Sequence, residues 1–135
     1  MNTHTDRIRP TAVVVDDDAD MAMMLSEFVQ ASGYETRSAQ NFSDFILAMS
    51  PQPQVLVLDL LMPESCSERI VEWLVYQAQA LPVVLVSSLP LDQIQQRRSQ
   101  MIEQGLLPPS ILRKPFWLQD VARVIREAVA STCPG

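Results

Sequence analysis

Residues 11–21 read TAVVVDDDADM, and the parsing of that stretch decides the fold. Thr11 to Val15 is an apolar, β-branched run of strand length. Met21, Met24, Leu25, Phe28 and Val29 then recur at helical spacing, with Gly33 placed to stop the helix. A strand apolar on successive residues is one covered on both faces. Asp16, Asp17 and Asp18 stand where that strand ends, although adjacent carboxylates raise one another's pKa unless something compensates. Asp18 or Asp20, just ahead of the first helical stripe, reads as a helix cap.

The unit repeats along the chain. Tyr34 to Ala39 alternates like a strand, and Phe42, Phe45, Ile46 and Met49 make a helical stripe that SPQP breaks. Val55 to Leu58 is a continuous apolar strand, and Ser67 to Ala80 is helical through Ile70, Val71, Leu74 and Val75. Val83 to Val86 is a fourth strand. Leu91 to Gln104 is a polar helix with Ile94, Met101 and Ile102 as its apolar anchors. GLLPPS is a loop, Ser110 to Arg113 a short strand, and Leu118, Val121, Val124, Ile125 and Val129 mark a last helix. Five strands alternating with five helices predict an α/β fold, a doubly wound parallel sheet with helices on both faces. The weak stripe of the fourth helix fits a solvated helix or a surface that moves or meets a partner.

Composition narrows the function. The 135 residues suit one domain, expected over 11–131, between a flexible N-terminus of residues 1–10 and a tail of residues 132–135. A 47% hydrophobic content supports a core, and a net charge of −6 gives no general nucleic-acid footprint. No apolar run approaches the roughly 18 residues of a membrane span, and the polar N-terminus is no signal peptide, so a soluble cytoplasmic protein is expected. Two cysteines, Cys66 and Cys133, make neither a disulfide scaffold nor a metal pattern. His4 is the single histidine, which argues against zinc and histidine chemistry. The ten basic residues are nine arginines and one lysine, Lys114.

The polar residues fall at strand ends. Asp16 to Asp18 follow the first strand, Asp59 the third, Ser87 and Ser88 the fourth, and Lys114 the fifth. In an open α/β sheet that edge binds ligands. No arginine or histidine lies in these turns, so a hard divalent cation with oxygen ligands, magnesium, is the cheapest compensation for the carboxylates. Lys114 supplies a point charge for an anion and Ser87 a hydroxyl donor. Together they describe a place where a carboxylate accepts a phosphoryl group. Any one of these residues alone would read as a cap or a surface charge. Their joint position on one edge carries the inference.

With these residues in place, the chain resembles the receiver domain of two-component response regulators, including chemotaxis receivers, over residues 11 to about 130. VVVDDD is similar to the family's acidic pair, Asp16 and Asp17; VLVLDLLMP to the phosphoacceptor motif, with Asp59 as acceptor; PVVLVSS to the strand carrying the switch hydroxyl, Ser87; and LRKPF to the Lys-Pro motif of Lys114. The resemblance implies a flavodoxin-like sheet of order 2-1-3-4-5. It implies that a histidine kinase or phosphotransfer protein phosphorylates Asp59, with magnesium held by Asp17, Asp59, the Leu61 carbonyl and, through water, Asp16. Lys114 would pair with the phosphoryl oxygens. Ser87 would move toward them and shift the surface of the fourth helix and fifth strand, regulating an output domain or partner. A homodimer through the fourth helix, fifth strand and fifth helix belongs to the same implication.

Three departures stand out. Cys66 and Ser67 replace an Asp-Gly pair, Ile111 stands where an aromatic usually swings with the switch hydroxyl, and the interval from Ser87 to Lys114 is lengthened around GLLPPS. The lengthened segment is similar to receivers attached to cyclic-di-GMP phosphodiesterase domains. A receiver working through contacts alone is one alternative. A small magnesium-dependent phosphohydrolase is the other, but it would want an acid at position 61, which is Leu61.

Overall fold

The structure, a computed structural model, describes residues 9–62 and 64–130, with Glu64 and Ser65 described in backbone only. Most of the expected flexible N-terminus, with His4, and the expected tail, with Cys133, lie outside the described residues. The elements run β1 (Thr11–Val15), α1 (Ala19–Ala31), β2 (Glu35–Ala39), α2 (Phe42–Ala48), β3 (Val55–Asp59), α3 (Glu64–Gln77), β4 (Val83–Ser87), α4 (Leu91–Glu103), β5 (Ser110–Arg113) and α5 (Leu118–Ala130). All strand pairs are parallel, in the order β2-β1-β3-β4-β5.

Side chains alternate across the sheet, and each face meets its own helices. Val13, Val15, Leu56, Leu58 and Leu85 join Phe45, Ile70, Leu74, Ile94 and Met101 from α2, α3 and α4. Ala12, Val14, Val57, Val84 and Val86 join Leu25, Val29, Val121, Val124 and Ile125 from α1 and α5. Both faces are therefore dry, which is why the strands read as unbroken apolar runs. Each fully buried Leu, Ile or Phe contributes roughly 1.5–3 kcal/mol by leaving water. Phe45 adds an edge-to-face contact with Trp73, centroids 5.3 Å apart.

The helix ends follow local chemistry. The Asp18 carboxylate accepts from the backbone N–H groups of Asp20 and Met21, as expected of a cap. Gly33, just past the C-cap Ser32, takes φ 106°, a conformation that side chains with a Cβ avoid.

The structure corrects several sequence boundaries. The third helix starts at Glu64, not Ser67, and ends at Gln77, not Ala80. Its first turn is polar and leaves no apolar stripe to read. Asp59 and Ser87 are the last residues of their strands, not turn residues, because they pair with Val86 and Arg113. Ile102 is not a core anchor: it stays 37% exposed, while Leu106 beyond the helix end is buried. The second strand starts at Glu35 rather than Tyr34.

α4 is the loosest attached helix. Ile94 and Met101 are its buried residues. Gln93, Gln96, Arg97 and Gln100 face an open groove of about 1100 Å³ against Glu68 and Glu72 of α3. Beyond α4, the lengthened connection is anchored. Arg98 Nε donates to the Pro109 carbonyl at 2.6 Å, and Leu107 N–H to the Gln79 carbonyl at 3.4 Å.

Candidate functional site

In-register pairing brings the strand ends level. Val15 lies opposite Leu58, Asp59 opposite Val86, and Ser87 opposite Arg113. The residues at or just beyond those positions therefore meet at one edge. The Lys114 N–H donates to the Ser87 carbonyl at 3.0 Å, which fixes the turn after β5 beside the end of β4.

Asp16 is 1% exposed, Asp59 is 3% exposed and Asp17 is exposed to solvent. One carboxylate oxygen from each lies within 4.8 Å of those of the other two. Asp59 Oδ1 accepts from the Leu61 N–H at 3.0 Å, and Asp16 Oδ1 from the Asp18 N–H at 3.0 Å. The remaining Asp16 oxygen, Oδ2, is buried without a hydrogen bond. Lys114 Nζ stands 3.8 Å from Asp59 Oδ2 and 4.0 Å from Asp16 Oδ2. Burial pushes the Asp16 carboxyl up to about 6. The Asp18 N–H pulls it down, the Asp59 carboxylate pushes it up again, and Lys114 opposes weakly.

Three carboxylates against one ammonium leave the cluster net negative. An all-oxygen donor set with an unpaired buried oxygen suits a hard divalent cation such as magnesium. Asp16, Asp17 and Asp59 are the residues that could hold it.

The remaining expected residues are also near this edge or beside it. Ser87 is fully buried, and its Oγ accepts from the Leu89 N–H at 2.9 Å. Ser88 is exposed. Leu61 is half exposed beside Asp59. Ile111 pairs with Leu85 in β5 and packs, partly buried, on the α2–α3–α4 side of the sheet. Cys66 is half buried, its thiol pushed up by burial, lowered by Arg69 and raised by Asp17. Arg69 escaped the sequence reading. It lies on α3, not in a strand-end turn, and only the folded chain brings it beside Asp17, Phe42 and Cys66 around one small pocket. Its spacing from Cys66, one helical turn, is the sequence signal that could have found it.

The response regulator receiver domain family matches residues 12–126. The chain belongs to that family. Among curated relatives, the probable transcriptional regulatory protein TcrX of Mycobacterium tuberculosis is 28% identical over 123 residues, which cover 90% of this chain and 50% of that protein. The polar-differentiation response regulator DivK of Brucella anthropi is 26% identical over 95 residues, 67% of this chain and 77% of that one. Protein Rrf1 of Nitratidesulfovibrio vulgaris is 32% identical over 78 residues, 56% of each. The chain thus spans about half the length of the first of these relatives.

Solved structures agree on the fold. NtrX from Brucella abortus superposes with a TM-score of 0.77 at 22% identity, over 93% of this receiver and 28% of that chain. Vibrio cholerae chemotaxis protein CheY4 gives 0.75 at 18% identity, over 90% and 99%. The five-stranded 2-1-3-4-5 receiver fold expected from the motifs is the fold of this chain. Among the described residues no helix is long and apolar enough to cross a membrane.

Proposed function

We propose that this receiver domain, spanning residues 11–131, takes a phosphoryl group on Asp59 from a histidine kinase or phosphotransfer protein. The observation that carries the reading is the buried Asp59 carboxylate with Asp16, Asp17 and Lys114 gathered around it. An Asp59 carboxylate oxygen forms the new bond to phosphorus, and the bond from phosphorus to the donor nitrogen breaks with its electron pair leaving on that nitrogen. The Leu61 N–H holds the other Asp59 oxygen in place. Lys114 supplies a cation to the phosphoryl oxygens. A magnesium ion held by Asp17, Asp59, the Leu61 carbonyl and, through water, Asp16 would neutralise charge on the same oxygens.

Ser87 links site to surface. Its hydroxyl now serves the Leu89 N–H in the turn leading into α4. Turning toward a phosphoryl group would release that bond and shift the balance between two arrangements of α4 and β5. An output domain, a partner protein or a second copy meeting α4, β5 and α5 would read the change, in the cytoplasm. An output of the cyclic-di-GMP phosphodiesterase kind rests on the lengthened α4–β5 connection alone.

Incubation with magnesium and a small phosphodonor tests the reading. Intact mass should rise by one phosphoryl group, and Asp59→Asn should not gain it. A wild-type chain with no adduct and no response to magnesium would leave a receiver acting through contacts alone, a reading for which Ile111 and Cys66 leave room and against which the intact Asp16, Asp17, Asp59, Ser87 and Lys114 count.

A further inference from the structure

The open groove of about 1100 Å³ between α3 and α4 has two unlike walls. The α3 wall carries Glu68 and Glu72, both exposed, and among the described residues neither takes part in an ion pair. Like charges one helical turn apart oppose each other, so the pair costs the free chain stability. The α4 wall carries Gln93, Gln96, Gln100 and Gln104, a single stripe at helical spacing, with the half-buried Arg97 among them. Those amides make no hydrogen bond to other described residues. Val71, Val75 and Met101 add apolar surface between the walls. Ser67 also lines the groove. It is fully buried, and its Oγ has no hydrogen-bond partner among the described residues. An unpaired buried hydroxyl in the lining is a second, independent mark of a site that a ligand completes.

We propose that this groove docks an extended, basic peptide segment of a partner protein. Each glutamine amide offers both donors and an acceptor. A helix has paired its own interior backbone groups, whereas an extended segment keeps N–H and C=O groups free to meet such a stripe. Gln93 to Gln104 covers about 16 Å of helix axis, the length of about five extended residues. Glu68 and Glu72 stand about 6 Å apart along α3, close to the roughly 6.7 Å between alternate side chains of an extended chain. Lysines or arginines at alternate positions meet both carboxylates, their aliphatic stems lying over Val71 and Val75. Arg97, on the facing wall, donates to peptide carbonyls. The inference goes beyond the phosphoryl chemistry and does not rest on it, because none of these side chains belongs to the cluster of Asp16, Asp17, Asp59 and Lys114.

A fluorescein-labelled, end-capped heptapeptide alternating lysine with threonine is the probe. It should be titrated with the full chain at about 0.15 M salt, where diffuse charge is screened, and followed by fluorescence anisotropy. Binding should saturate at one peptide per chain. Glu68→Gln with Glu72→Gln should weaken it about tenfold. Gln96→Ala with Gln100→Ala, which changes no charge, should weaken it about fivefold. Glu27→Gln with Glu35→Gln makes the same charge change on exposed residues of α1 and β2 and should move it less than about twofold. Circular dichroism should show the same helix content in every variant. Equal weakening by the two glutamate pairs would reduce the effect to net charge and overturn the inference. Unchanged binding in the glutamine variant, tighter binding of a stapled helical peptide with lysine at every fourth position, or no saturable binding by wild type would each overturn it too.

Discussion

Lys114 Nζ stands 3.8 Å from Asp59 Oδ2, and the same nitrogen reaches Asp16 Oδ2 at 4.0 Å. Both separations exceed a direct hydrogen bond. One ammonium is thus shared loosely between two buried carboxylates, close enough to compensate them and free to turn toward another anion. Lys114→Met should therefore accept a phosphoryl group from a small donor on the order of 100-fold more slowly, with the helix content unchanged. An unchanged rate by intact mass would remove Lys114 from the proposed chemistry.

Asp16 gives the site a signature in stability. Its carboxyl rises from the ordinary 3.8 to about 6, chiefly through burial. Between those values the folded chain keeps a proton that the unfolded chain has lost. The Asp16 contribution to stability is therefore full below about pH 4 and declines as pH rises to about 6, where it levels off. At neutral pH, without a cation, the ionised carboxylate costs on the order of 3 kcal/mol. Asp16→Asn should melt at a higher temperature than wild type in metal-free buffer at pH 7 and lose its part of the decline between pH 4 and 6. An Asn variant that melts lower at pH 7 would contradict this.

A divalent cation should act in the opposite direction to that cost. Bound only by the folded chain, at 100 times its dissociation constant it would add about 2.7 kcal/mol. Thermal melts with millimolar magnesium should shift upward for wild type. The shift should shrink in Asp17→Asn and Asp59→Asn, which each lose one of the three clustered carboxylates. Equal shifts in all three proteins would place the cation elsewhere.

The sequence showed the sheet clearly because both of its faces are buried. Thr11–Val15 and Ser110–Arg113 lie where their apolar runs placed them. The 2-1-3-4-5 order came from the resemblance, since alternation alone leaves several orders open. Asp16, Asp59, Ser87 and Lys114 were legible because register turns strand ends into one edge. Two things were not. The first turn of α3 carries no apolar signal, so its start was placed late. Arg69 joins Asp17 around one pocket only in the folded chain, and its one-turn spacing from Cys66 on α3 was the faint sign of it in the sequence.

Differences in burial set α4 apart from α5 in local stability. α5 buries Val121, Val124, Ile125 and Ala128, whereas α4 buries Ile94 and Met101 and borders an open groove. Fewer buried contacts mean a lower free energy of local opening. Amide exchange should therefore be faster along α4 than along α5, although the two helices have the same length. The C-terminal end of α4 is held through Arg98 and Pro109, so its exchange should be slower than that of the end nearest Leu89. Ile94 is fully buried, and Ile94→Ala should cost about 2–4 kcal/mol globally and speed exchange in α4 more than in α5. Beryllofluoride at Asp59 should change exchange first in the turn after Ser87, where the Leu89 N–H loses its acceptor. If α4 and α5 exchange equally and neither responds to beryllofluoride, the Ser87–Leu89 bond is a static turn and not the link between site and surface.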